Sequence, residues 1–137
     1  ALASCRALRA RHEVVTLVVN LGDVALARGE VEEAWRAYRD GAAEAAALGA
    51  TPKALDALRG AAEVLLARGA PERAARVLGF VLAHPDRNVE VQAEADRVRR
   101  TLEAQVNETA LAAALEEGEA SAMNDVLAWL EAGASAG

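Results

Sequence analysis

Residues 21–38 read LGDVALARGEVEEAWRAY: an apolar helical run, a break at Arg28-Gly29 and a second amphipathic run. A related segment, AAEVLLARGAPERAARVL, occupies residues 61–78. In both segments the apolar residues recur at intervals of three and four, which places them on one face of an α-helix. Glycine commonly ends a helix, so each segment predicts two helices that meet at Gly29 or Gly69. The connection is so short that the two helices must be antiparallel neighbours.

The two segments align with each other when the chain is shifted by 40 residues. Eight residues of the first segment are identical to the residue 40 positions later: Val24, Leu26, Ala27, Arg28, Gly29, Glu32, Ala34 and Arg36. A helix pair of this size cannot bury its apolar face alone, so the copies are expected to stack. We therefore predict a repeat at 11–49, a repeat at 51–84 and closing helices at 86–132. Residues 1–10 are predicted to be the remnant of a preceding repeat, and residues 133–137 a tail.

Composition favours an all-α protein. Alanine, the best helix former, is the commonest residue, and the chain has only four aromatic residues and three prolines. The net charge of −6 argues against direct binding of nucleic acid, which needs a basic field. Arg97, Arg99 and Arg100 are interspersed with acidic residues and are interpreted as a solvated helix face. A single cysteine, no signal peptide and no membrane span predict a soluble cytoplasmic protein.

The helix faces and helix ends can be predicted residue by residue. The expected inward stripe of the first full helix is Val14, Leu17, Val18, Leu21, Val24 and Ala25. Thr51 and Asn107 are expected to cap the helices that follow them, and Ser121 to cap the last helix. Gly118 is expected to end the helix that begins near residue 108. Trp35 and Tyr38 lie on an inward stripe, so a core role is favoured over ligand stacking.

We find no reaction centre in the sequence. His12 and His84 lie far apart and Cys5 is alone, so no group has metal-ligand spacing. The glycines stand singly at helix ends rather than in a phosphate-binding loop. The sequence therefore predicts no catalysis, no cofactor and no metal site.

The repeat resembles the tetratricopeptide repeat. Leu21-Gly22 stands where that family has Leu-Gly, Ala34 at its small residue of the second helix, and Tyr38 at its aromatic residue. The chain departs from the family in having Val18 in place of Trp and in its longer period. In that longer form it is similar to the helical sensor regions of large bacterial LuxR-type and STAND signalling proteins.

The resemblance implies a right-handed α-solenoid of antiparallel helix pairs with a C-terminal helical cap, in which the first helix of each pair lines a concave face. The positions implied on that face are Thr16, Asn20, Asp23, Asp56, Arg59 and Glu63. The implied function is an interaction or ligand-sensing module of a larger signalling protein, whose partner is a protein, a peptide or neighbouring repeats. The alternative is a structural spacer or oligomerisation cap. An uncovered first repeat also predicts weak self-association.

Overall fold

The computed structural model describes the backbone of residues 2–136 and the side chains of residues 4–132. This part of the chain forms seven α-helices and contains no strand. The helices are α1 (Leu2–Ala27), α2 (Val31–Ala47), α3 (Thr51–Ala67), α4 (Pro71–Ala83), α5 (Val89–Gln105), α6 (Glu108–Glu119) and α7 (Met123–Ala136). The prediction of an all-α protein is confirmed.

The first three helices end in the same way. Gly29, Gly49 and Gly69 have φ values of 77°, 73° and 78°, a conformation that glycine adopts without steric cost. After each glycine, the next backbone N–H donates to a carbonyl five residues earlier; for Glu30 this is Ala25, at 2.9 Å. The helix ends predicted at Gly29 and Gly69 are confirmed, Gly49 ends α2 in the same way, and each turn reverses the chain within a few residues.

Neighbouring helices share one main core. α2 packs on α1 and α3, α4 packs on α3 and α6, α5 lies against α3 and α4, and α7 lies against α2 and α4. Most apolar residues of α2, α3 and α5 that recur at intervals of three and four are buried, whereas Val31 at the start of α2 is partly exposed. The largest side chains with almost no exposure include Trp35, Tyr38, Leu55, Leu58, Leu65, Leu78, Leu102 and Leu130. Burial of this apolar surface is the main force that holds the helices together.

The stripe predicted for α1 is largely wrong. Leu17 and Leu21 are 57% and 56% exposed, and Val14 and Val24 are also exposed. The buried residues Val15, Val19, Gly22 and Ala25 lie on an adjacent side of the helix, and of the predicted stripe only Ala25 is buried and Val18 partly buried. Residues 14–19 are apolar on nearly every side of the helix, so periodicity alone does not identify the face on which α2 and α3 pack. α1 also runs without a break through residues 10–12, where the prediction placed a repeat boundary.

Three predicted helix ends are also wrong. Thr51 is the first residue of α3 and follows an N-cap at Ala50, which makes no side-chain hydrogen bond. The Ser121 hydroxyl donates to the carbonyl of Glu117 at 2.7 Å instead of capping α7. Gly118 lies inside α6 and is buried. The cap at Asn107 is confirmed, since its side chain accepts a hydrogen bond from the N–H of Ala110 at 2.8 Å.

Gly118 allows α6 to approach α4 at backbone distance. A Cβ atom built on Gly118 would overlap the carbonyl oxygen of Arg76, and one built on Gly79 would overlap the carbonyl oxygen of Leu115. Glycine at both crossing points therefore permits a separation that any side chain would increase. The closing helix α6 is attached to the repeats by this contact.

Candidate binding groove

An open groove of about 830 Å³ lies between α1, α3 and α5. α1 and α3 supply one wall each, α5 supplies the third, and the ring of Tyr38 reaches in from α2. The lining side chains are Asn20, Asp23, Leu26, Ala27, Tyr38, Pro52, Lys53, Asp56, Arg59, Glu63, Asn88, Glu90, Val91, Ala93, Glu94 and Arg97. Most of them are polar, and the groove is large enough for part of a peptide or for a small molecule.

The structure brings together five of the six residues predicted for the concave face. They are Asn20, Asp23, Asp56, Arg59 and Glu63. Thr16 is exposed outside the groove, and its hydroxyl donates to the carbonyl of His12 in the same helix at 3.1 Å.

Arg59 occupies the floor of the groove and is only 5% exposed. Its guanidinium donates to Asp56 at 2.8 Å, to Asp23 at 3.3 Å and to Glu63. Three carboxylates from two helices therefore surround one buried cation. A buried arginine needs such partners because its charge is costly to remove from water. Arg59 thus ties α3 to α1 and has little capacity left for a ligand.

The pKa of Arg59 reflects two opposed effects. Burial lowers the pKa, whereas the hydrogen bonds and negative charges of Asp56 and Glu63 raise it and outweigh burial. Burial also raises the pKa of Tyr38, and the hydrogen bond and charge of Asp23 raise it further. Both groups therefore keep their protonated forms at neutral pH, as a phenol and a guanidinium.

Tyr38 connects the core to the groove. Its ring is fully buried, and its hydroxyl donates a hydrogen bond to Oδ1 of Asp23. The guanidinium carbon of Arg59 lies 5.9 Å from the ring centroid. The core role predicted for Tyr38 is confirmed, and the structure adds that its hydroxyl fixes an acidic group of the groove.

The wall formed by α5 was not predicted. Asn88, Glu90, Glu94 and Arg97 belong to it, and Arg97 pairs with Glu94 and, at 3.6 Å, with Glu63 of α3. The sequence shows that α5 has a narrow apolar face but not which earlier helices that face packs against. No spacing signal relates these residues to Asn20 or Asp56.

The groove is moderately acidic, with five carboxylates among its lining residues against three cationic side chains. Its chemistry is that of hydrogen bonding and ion pairing. Within the described residues there is no group of His, Cys, Asp and Glu arranged to hold a metal ion. The guanidinium of Arg59 fills the space between the carboxylates of Asp23, Asp56 and Glu63, so these three groups are paired with a side-chain cation.

A second cavity, of about 140 Å³, lies where α7 meets α2 and α4. Trp35 and Trp129 line it, and Nε1 of Trp35 has no hydrogen-bond partner among the residues that the structure describes. The guanidinium carbons of Arg68 and Arg76 lie 4.7 Å and 5.8 Å from the ring centroids of Trp35 and Trp129. Trp35 is buried in the core and Trp129 is a partly buried residue packed against that core, and each ring has an arginine beside it.

The geometry describes an all-α protein with an open polar groove on one side. No family model, no curated protein and no solved structure matches the chain. None of the helices in the described part of the chain has the length and apolar character needed to cross a membrane.

Proposed function

We propose that this chain is an interaction module whose groove between α1, α3 and α5 receives a segment of a protein, a peptide or a small signal molecule. The observation that carries the proposal is the convergence of polar side chains from three helices on one open groove. Asn20, Lys53 and Asn88 there offer hydrogen-bond donors, and the carboxylates offer acceptors. An extended peptide backbone requires both.

The proposal extends to the architecture and the parent protein. The helix pairs form a right-handed TPR-like solenoid, and the module belongs to a larger bacterial signalling or transcription-regulatory protein. The support is the 40-residue repeat, the matching turns at Gly29 and Gly69 and the family-like residues around Leu21-Gly22. The module contributes recognition, and catalysis is left to other domains.

A peptide-display selection on the purified chain tests the groove. Asn20→Arg fills the groove from an exposed position on α1, and Asn124→Arg makes the same change at an exposed position on α7. Selected peptides are expected to bind the unmodified chain and Asn124→Arg equally, and to lose most of their affinity for Asn20→Arg. If no selected peptide distinguishes the two variants, the groove is not the recognition site.

The second candidate is a structural spacer or cap of a helical array. One observation favours it: the groove's charged groups already satisfy one another, since Arg59 contacts three carboxylates and Arg97 contacts two. Under this alternative the groove is a solvated surface, and the same selection yields no peptide that depends on Asn20.

A further inference from the structure

α1 carries an apolar stripe that no part of the described chain covers. We define the α1 seam as Val14, Leu17, Leu21 and Val24, whose exposed fractions lie between 47% and 57%. Successive members are three, four and three residues apart, the spacing along which two helices pack in a coiled coil. The seam adjoins the groove on α1, but none of its four residues lines the groove, so the inference does not rest on the proposed function.

The internal repeat indicates what kind of element fits the seam. The residues 40 positions further on are Ala54, Ala57, Ala61 and Val64, and all four are fully buried. α2 covers this face of α3: Ala45 shares a buried cluster with Ala54, and Gly41 lies close to Ala57. The same face of α1 therefore corresponds to a place where an antiparallel helix packs.

We propose that a second copy of this chain covers the seam through its own α1, antiparallel across a two-fold axis. The seam reads Val, Leu, Leu, Val with symmetric spacing, so it is the same in both directions. An antiparallel pairing thus sets Leu17 against Leu21 of the second copy and Val14 against Val24. A two-fold interface requires this self-complementarity, because one surface patch must match itself.

Charges at the two ends of the seam fit the same arrangement. Glu13 lies beside Val14, and Arg28 lies one turn beyond Val24. In the antiparallel register Glu13 of each copy lies opposite Ala25 of the other, about one helical turn from its Arg28, so the two long side chains can meet as opposite-charge pairs. Neither side chain forms a salt bridge within the described residues. The pairs would fix the orientation of the two helices.

The size of the seam sets the strength of the dimer. Four half-exposed aliphatic side chains bury less than the roughly 800 Å² per partner of a standard interface. The dimer is therefore weak, and the monomer and dimer exchange with concentration. Packing of two leucine layers between two valine layers supplies most of its affinity.

Analytical ultracentrifugation from micromolar to millimolar concentration tests the proposal. The unmodified chain is expected to shift towards dimer mass, and Leu17→Glu to remain monomeric with unchanged helical circular dichroism, because Leu17 is exposed. Val89→Glu is the matched control, at an apolar residue that is 84% exposed on α5, and it should dimerise normally. A monomer at every concentration overturns the proposal, and so does equal dimerisation of the two glutamate variants.

A charge exchange tests the orientation. Glu13→Arg alone should weaken the dimer, because it places arginine beside Arg28 of the second copy. Combining Glu13→Arg with Arg28→Glu should restore the affinity, since both pairs are then re-formed with reversed sign. A double variant that dimerises no better than Glu13→Arg overturns the antiparallel pairing.

Discussion

The ring of Tyr38 lies directly on the backbone of Gly60, so closely that a Cβ atom built there would overlap Cε1 of the ring. A Cβ atom built on Gly22 would lie 2.9 Å from the same atom. The two glycines, in α1 and α3, form a slot for an aromatic ring that α2 supplies. The slot positions the hydroxyl of Tyr38 at Asp23, so the close packing of three helices determines the geometry of the groove.

Gly60→Ala is expected to destabilise the protein by about 1–3 kcal/mol, the usual cost of an inserted methyl group in a packed core. The methyl group would displace a ring that its hydrogen bond to Asp23 holds in place. Urea unfolding followed by circular dichroism measures the change in the free energy of unfolding.

The matched control is the same substitution in a Tyr38→Ala background. With the ring gone, Gly60→Ala should be neutral or stabilising, because alanine favours helix over glycine. An equal loss of stability in both backgrounds would show that the clash with Tyr38 is not the cause.

The crossing of α4 and α6 gives a second prediction. Gly118→Ala places a methyl group on the Arg76 carbonyl, a backbone atom that cannot rotate away, so it should destabilise by about 3 kcal/mol, the upper end for overpacking. Gly41→Ala also adds one methyl group to a helix, but its nearest neighbour is Cγ2 of Val19 at 3.1 Å, which can adjust. Thermal unfolding should separate the two variants clearly. A similar melting temperature for both would contradict the backbone contact between α4 and α6.

The raised pKa of Tyr38 predicts that the folded protein loses stability at alkaline pH. Its pKa is raised in the folded state, by burial and then by Asp23, so folding favours the neutral phenol. The stabilisation is complete below the unfolded-state pKa of about 10 and declines as the pH rises towards the folded value. Tyr38 is the chain's one tyrosine, so phenolate absorbance reports it alone. The absorbance should rise together with the loss of helical circular dichroism, and Tyr38→Phe should remove this part of the pH dependence.

α2 and α5 could be predicted from the sequence because their buried residues, spaced mostly three and four apart, lie on one face of each helix, whereas α3 is buried on most of its sides. The turns could be read because glycine follows each apolar run at the position where φ becomes positive. Five groove residues were predicted from the resemblance to the tetratricopeptide repeat, and their spacing of three or four residues on α1 or α3 is consistent with a shared face. Stacking of the two repeats then places these faces of α1 and α3 side by side.

The failures at α1, at Gly118 and at the α5 wall have a common physical cause, since each depends on which helix packs where. α1 is apolar around most of its circumference between residues 14 and 19, so its buried side is decided by contact with α2 and α3. Gly118 has the sequence context of a helix stop, but α4 needs a residue without a side chain at that point. The α5 wall of the groove depends on packing between helices far apart in the chain, which no local pattern records.

Arg59→Met is expected to destabilise the protein by about 1–3 kcal/mol, because the carboxylates around Arg59 lose their shared partner. Methionine keeps much of the aliphatic volume, so the loss reports charge rather than packing. Asp23 is 43% exposed, and water therefore offsets part of the cost. The three carboxylates then repel one another, so the deficit should shrink in concentrated NaCl. A deficit that does not depend on salt would indicate that Arg59 acts through packing alone.

Ala34→Leu tests the packing of the first helix pair. Ala34 is fully buried in α2, within the cluster that contains Val19 and Ala25 of α1, and it aligns with buried Ala74 in the second copy. Three added carbons have no space there, so the two helices must separate and the melting temperature should fall substantially. Ala43→Leu makes the same change at an exposed position of α2 and should leave the melting temperature nearly unchanged. Equal melting temperatures for the two variants would mean that α1 and α2 do not meet at this small residue, and the correspondence between the two copies would then lose its structural basis.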